Sequence, residues 1–420
     1  MALSDDILGL KKRKGRAILG CLWQIGYICG ERVAGLALRA CAHNKPTFMT
    51  IRHIFPTIAL LLTTTAPIAA QTQGSYNFPK DGAIYIGEVQ GGKPNGKGRT
   101  TYRNGDIYEG EYVKAKRQGK GTYTFFDGET YVGDWYDDHQ HGSGVYTFSN
   151  GNRYEGLWYM DYQEGDGTMY YYNGDRYVGQ WKQDKREGRG RYTWANGMYY
   201  DGEWKEDRKH GKGLIDWQDG SSYYGDWLYD QRSGQGKYNY ANGDTYEGGW
   251  KSDLAEGKGI YVFSNGDRYE GDYQAGERGG QGIFVYADGR KYVGQFKQGY
   301  MDGYGTYTWA DGSKYEGYWI EDRQNGRGKY TGAGGDSYDG EWINGKMEGE
   351  GVLRLADGTK FKGRFKGGER NGKGVEELPD GTRFEGSYVD GLKDGPFTEK
   401  DKNGKTVRKG VYRRGVLVSQ

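Results

Sequence analysis

Seven aspartates recur along this 420-residue chain at multiples of 23 residues: Asp138, Asp161, Asp184, Asp207, Asp230, Asp253 and Asp322. Beside the first stands the pair His139 and His141, in DDHQHG. Rows of carboxylates could act as general acids and bases, and an H-x-H spacing with Asp137 and Asp138 nearby could ligate a metal. Both ideas weaken when the same place is read at every multiple of the period. It holds glycine six times, at Gly92, Gly276, Gly299, Gly345, Gly368 and Gly391, and Ala115 once. A catalytic acid is not interchangeable with glycine, whereas a left-handed turn residue is. The histidines fill loop places that hold Lys, Arg, Glu or Asn elsewhere. No Ser nucleophile elbow occurs, and the GKG and GRG runs precede strands rather than helices, which makes them poor phosphate cradles. No catalytic residue, metal site or cofactor is therefore expected, and the chain does not read as an enzyme.

What must position these residues is a chain poor in aliphatics and rich in rings. Tyr numbers 40 and Gly 77, hydrophobic residues total 35%, and Pro is only 7. A Leu/Val/Ile core of the usual kind is excluded by this composition, and the scarcity of Pro speaks against a collagen or a Pro/Gly-rich disordered chain. Many short strands joined by many tight turns fit it better.

The period is strict. Fourteen units begin at Tyr85, Tyr108, Tyr131, Tyr154, Tyr177, Tyr200, Tyr223, Tyr246, Tyr269, Tyr292, Tyr315, Tyr338, Phe361 and Phe384, with no insertion between them. Counting the leading ring as position 0, position 2 is always Gly and position 4 is aromatic except at Val89. Position 11 is always Gly, position 13 is Gly until Phe397, and positions 15 and 17 are mostly rings, as in Tyr307 and Trp309. Alternation at 0, 2, 4 and again at 13, 15, 17 is the period-two signature of half-buried strands. Asn/Asp-Gly at positions 19 and 20 turns the chain into the next unit, and Pro379-Asp380-Gly381 fits a type I turn followed by a left-handed Gly. A three-residue loop of this kind puts all rings on one face; a two-residue turn would split them.

YEGYW at 315–319, followed by NGRG at 325–328 and repeated every 23 residues, resembles the MORN (membrane occupation and recognition nexus) repeat. The resemblance covers Tyr85 to about Gly404. It departs at Val89, at Gly332, which empties position 17, and from Tyr338 onward, where Leu353, Leu355, Glu376, Leu378, Glu399 and Asp401 replace rings. It implies an all-β fold, an elongated single-layer antiparallel meander of about fourteen 23-residue hairpin repeats, some 28 strands in all. Glycines at positions 2 and 13 would bare the backbone for large rings to lie across. The candidate aromatic face, expected to be mainly structural, is Tyr131, Trp135, Tyr154, Trp158, Tyr177, Trp181, Trp194, Tyr200, Trp204, Trp217, Trp227, Trp250, Trp309 and Trp319. Relatives of this kind attach the repeats to a lipid kinase or a lysine methyltransferase domain; the residues after Gly404 leave no room for either.

The first 70 residues differ in kind. All three cysteines, Cys21, Cys29 and Cys41, lie there, as do nine Lys/Arg against three Asp/Glu. The remaining 350 residues hold 50 basic and 54 acidic side chains, a balance that argues against nucleic acid as a partner. Residues 49–70 have the layout of a signal peptide: Arg52, an apolar run from Ile54 to Leu62, and Ala69-Ala70 before Gln71. The expected division is thus 1–48 as over-extended translation or a disordered N-terminal segment, 49–70 as signal peptide and 71–84 as linker or N-terminal cap. The repeat array takes 85–407, with 408–420 as a C-terminal cap or tail. The mature chain would be periplasmic or secreted, with membrane association if residues 1–70 are retained.

Two functions are open at this point. One is a non-enzymatic scaffold of the cell envelope, binding a protein partner or a second copy of itself through an aromatic-lined sheet. The other is an envelope ligand binder that stacks glycans or choline-like cations on exposed rings. Lipid head groups rank below both, because the near-neutral body offers no polybasic patch.

Overall fold

The computed structural model describes residues 71–420. The expected signal peptide and the segment before it lie outside the described residues. Those described form a single antiparallel sheet of 32 strands, almost every strand pairing with its neighbours in sequence. The expected meander is present. It is longer than the fourteen units alone, because Thr72–Asn77 adds a strand before the first and Thr406–Arg413 with Val416–Ser419 adds a hairpin after the last.

The unit beginning at Tyr223 shows why the sequence folds this way. Strands Ser222–Leu228 and Gln231–Asn239 pair so that Tyr223 faces Tyr238, Gly225 faces Gly236 and Leu228 faces Gln231. The two residues between them, Tyr229 and Asp230, have φ of 48° and 73°. Positive φ at both central residues is the type I′ hairpin, whose twist matches that of the strands. The aspartate place of the period is thus the second residue of a tight turn, as expected. The first residue is equally left-handed in every unit, at residues as unsuited to it as Met160, Glu206 and Tyr229, and nothing in those side chains announces it.

The second turn is the three-residue loop. The Tyr240 N–H donates to Asp244 O and the Gly243 N–H to Tyr240 O, both at 2.9 Å, and Gly243 sits at φ 89°. Tyr238 then faces Tyr246 across the next pair of strands, which sets every ring of the period on one face.

That face is the core. Rings at position 0 are buried almost completely, Tyr223 to 0% exposure, with no second layer above them among the described residues. The cover comes from the repeat itself. Tyr223 lies flat across its own Gly225 and Gly236: a Cβ on either glycine would stand 2.4 Å from the phenol oxygen. Its hydroxyl donates to Asp226 O at 3.0 Å. Trp227 and the next unit's Trp250 meet the same ring edge-to-face at 5.2 and 5.3 Å. Each indole N–H is also satisfied, Trp250 Nε1 donating to Gly236 O at 3.1 Å. Such pairs contribute about 0.5–1.5 kcal/mol beyond the area they bury, and the motif recurs along the sheet.

Candidate functional site

The sequence-derived aromatic face divides into two classes. Tyr131, Tyr154, Tyr177 and Tyr200 are closed to solvent, and Trp135, Trp158, Trp181, Trp204, Trp227, Trp250 and Trp319 are nearly so, at 4–6% exposure. These eleven rings are occupied by one another. Trp194, Trp217 and Trp309, all at position 17, are only half-buried. Guanidiniums close much of the remainder: Arg232 lies 4.3 Å above the Trp250 ring and 5.2 Å above Tyr238, and Arg117 and Arg186 sit equally close to Trp135 and Trp204. Burial pushes the phenol pKa of the leading tyrosines well above its ordinary value, and that of Tyr85 up to about 12.

The seven aspartates turn out to be ties between repeats. Each accepts, through Oδ1, the backbone N–H of position 9 in the preceding unit at 2.7–2.9 Å. Asp253 also meets Arg232 Nε at 3.1 Å and donates its own N–H to Arg232 O. Where glycine takes the place, the main-chain bond persists, as from Gly299 N to Arg278 O at 2.9 Å, and the carboxylate bond is lost. A second tie, at position 21, escaped the sequence reading. Asp244 accepts the Tyr261 hydroxyl and the Ser264 N–H, each at 2.7 Å, and the tyrosine bond holds its carboxyl below the usual range. Its partners lie 17 and 20 residues away, so only the register reveals them. His139 and His141 part company: His139 Nδ1 stands 2.7 Å from Asp161, whereas His141 lies between the rings of Tyr136 and Tyr159.

The opposite face is different. Side chains at positions 1, 3, 12 and 14 point away from the rings and form cross-strand ion pairs, Lys120–Asp134, Lys212–Asp226 and Lys258–Asp272, at 2.6–2.7 Å. Over the first four units this back face sinks into a groove of 810 Å³. Its floor is bare backbone at glycines such as Gly110, Gly121, Gly133 and Gly144, with Val132, Val145 and Leu157 as apolar contacts. Lys97, Lys120, Glu111, Glu155 and Asp166 supply charge around it. Asp134 borders this region. Burial would raise its pKa, but the Lys120 ammonium and the Ser143 N–H outweigh that and leave the carboxyl below the ordinary value. In these repeats the rings cover one another on their own face, and the hollow opens on the other face, among the side chains of positions 1, 3, 12 and 14.

The sequence pattern of the MORN repeat matches thirteen segments, the first 85–107 and the last 361–383, in the register read above. The chain belongs to the MORN repeat family. No curated protein matches the sequence. Solved structures share stretches of sheet with this MORN chain at low similarity. The TCP domain of Drosophila melanogaster SAS-4, in complex with a proline-rich motif of Ana2, is 17% identical over 42% of this chain and 90% of its own, with a TM-score of 0.25. The wild-type TCP10 domain of Danio rerio CPAP is 12% identical over 64% and 99%, with a TM-score of 0.17. Virginiamycin B lyase of Staphylococcus aureus is 11% identical over 62% and 89%, with a TM-score of 0.13. Scores this low carry nothing about partners or reactions.

The fourteenth unit, led by Phe384, lies beyond the matched MORN segments yet keeps its strand, Arg383–Val389. Phe397 there replaces the second glycine and stacks on Phe384 at 5.1 Å and 22°. One unit earlier, Glu376 occupies a ring position at 8% exposure, held by Arg370 at 2.5 Å and Lys393 at 2.9 Å.

Proposed function

We propose that this MORN chain is a non-enzymatic interaction scaffold of the cell envelope, periplasmic or secreted after residues 49–70 act as a leader. A protein segment would lie in the back-face groove of the first four repeats. The groove carries this reading: it joins apolar contacts at Val132, Val145 and Leu157 to a glycine floor and a charged margin of both signs. It crosses seven strands, or about 29 Å at ~4.8 Å per strand, the length of a helix of roughly 19 residues. The rings of the other face are engaged with each other, which leaves glycan or choline stacking only the partly buried rings of positions 15 and 17.

The test is a photo-crosslinking residue at Val132 in the full chain, expressed in its own cells, with a second placed at Ile343 as a distant control. The reading predicts one dominant protein adduct at Val132, absent at Ile343 and suppressed by Leu157→Lys. Equal labelling at both sites, or adducts indifferent to Leu157→Lys, would overturn it. Cell fractionation with sequencing of the mature N-terminus tests the envelope assignment, and light scattering tests self-association.

A further inference from the structure

The ring face carries a second hollow, far along the sequence from the groove. It is a slot of 480 Å³ between the rings of Tyr286, Tyr307 and Trp309 on one side and the side chains of Arg278, Met301 and Gln324 on the other. Two departures from the repeat accompany it. Position 9 varies but is most often a ring-capping arginine, at Arg117, Arg186, Arg232, Arg278 and Arg370, and is Met301 in one of these units. Position 17 of the following unit is Gly332, so the row of rings ends at Trp309. A third departure is Arg290, which stands where Asp106, Asp175 and Asp244 accept tyrosine hydroxyls in other units. Arg290 lies 4.4 Å above the Tyr286 ring, meets Asp288 at 2.7 Å and donates to the Tyr307 hydroxyl at 3.3 Å.

We propose that this slot binds a proline-rich peptide in the polyproline II conformation, running along the array and across its strands. The spacing is the first reason. Position-17 rings of successive units, Tyr286 and Trp309 here, are two strands apart, which is about 9.6 Å in an antiparallel sheet. One turn of polyproline II, three residues of ~3.1 Å, is about 9.3 Å. Every third residue of such a peptide meets a ring.

Charge is the second reason. A polyproline helix makes no internal hydrogen bonds and its prolines have no N–H, so it offers its surroundings only carbonyl oxygens. Two guanidiniums border the slot, Arg278 across from the rings and Arg290 on the ring side, each with five N–H groups. Arg278 donates to Gly299 O at 2.6 Å and Arg290 to Asp288 and Tyr307, which leaves N–H capacity for those carbonyls. Rings flanked by cationic donors match a ligand with apolar pyrrolidine edges and acceptor-only backbone. The proposal is independent of the back-face groove.

The experiment is calorimetric titration of the full chain with decaproline, with a Gly/Ser peptide of equal length and cellohexaose as comparators. Saturable binding of decaproline alone is expected, weakened at least about tenfold by Trp309→Ala and unaffected by Leu157→Lys in the groove. Met301→Arg is the second variant. It installs the residue that five other units carry at this position, so the fold has room for it, and the slot is expected to fill and decaproline binding to be lost. No saturable binding of decaproline, binding that survives Met301→Arg, or preference for cellohexaose would overturn the proposal.

Discussion

The repeats led by Tyr108 through Tyr315 and those led by Phe361 and Phe384 share a backbone and differ in what holds it. In the first group a tyrosine leads, its hydroxyl closing the strand as Tyr223 does on Asp226 O, and rings at position 4 and, except at Met169, Ile215 and Gly332, at positions 15 and 17 pack around it. In the second group phenylalanine leads, the hydroxyl bond is gone, and Glu376 with Arg370 and Lys393 stands where a ring would be. The pairing between these two units persists, Glu376 facing Phe384 as Tyr238 faces Tyr246, while within the last unit the second strand splits into Leu392–Lys393 and Gly395–Lys400. Register in this sheet therefore follows from the turns and the glycines, while the cohesion between strands can come from rings or from a satisfied buried ion cluster.

Substitutions can break that comparison in order of size. Trp181→Ala, in the ring-held region, is expected to cost about 3–5 kcal/mol, because the neighbouring rings cannot collapse into the space. Hydrogen exchange in the flanking units is the appropriate measure, since a long repeat array need not unfold as one. Trp194→Ala, whose ring is half-buried, should cost clearly less, and equal effects would contradict the division into covered and open rings.

In the ion-held region, Glu376→Ala leaves Arg370 and Lys393 without their carboxylate and should cost about 3–5 kcal/mol. Glu376→Tyr also removes the carboxylate but restores a ring beneath the position-9 guanidinium, as Tyr238 lies beneath Arg232, and should cost clearly less than Glu376→Ala by the same measure. Burial alone would raise the Glu376 pKa, but Lys393 and then Arg370 reverse this and lower it. Its contribution is thus present above the ordinary glutamate pKa of about 4.3 and disappears as pH falls through the lower folded value. The C-terminal units should accordingly lose protection in acid, and Glu376→Tyr should remove that part of the loss.

The smallest effect concerns the ties. Asp253→Gly keeps a residue suited to positive φ and forfeits the carboxylate's two bonds to Arg232, about 1–2 kcal/mol. Asp253→Ala should cost more, because alanine loses the same bonds and resists the left-handed turn.

Much of this was legible in the sequence, for specific reasons. Two glycines per strand pair and a strict period fix the strands; Asn/Asp-Gly with Pro379 fixes the three-residue loop; together they put the rings on one face. The left-handed conformation of Met160 or Tyr229 was not legible, because strand twist imposes it against residue preference. The role of Asp253 was half legible: its exchange with glycine revealed the turn, but its bond crosses 21 residues to Arg232 and appears only when repeats stack. The open places were only half legible, because alternation separates two faces without saying how far each covers itself, and a hollow opens on both. Glu376 read as an end effect, since the sequence does not bring Lys393 and Arg370 beside it.

The central claim is that closed phenol rings on one face supply the cohesion of the sheet. An alkaline titration following tyrosinate absorbance and far-ultraviolet circular dichroism together tests it most directly. The folded pKa of the leading tyrosines is raised, so their contribution is intact below the unfolded value of about 10 and is lost as pH climbs through the folded one. Each such phenol removes about 1.4 kcal/mol per pH unit above 10. The account predicts that most tyrosinate appears in a steep step above pH 10, together with loss of the β signal. Gradual ionisation of all tyrosines near pH 10, with the sheet still intact, would contradict it.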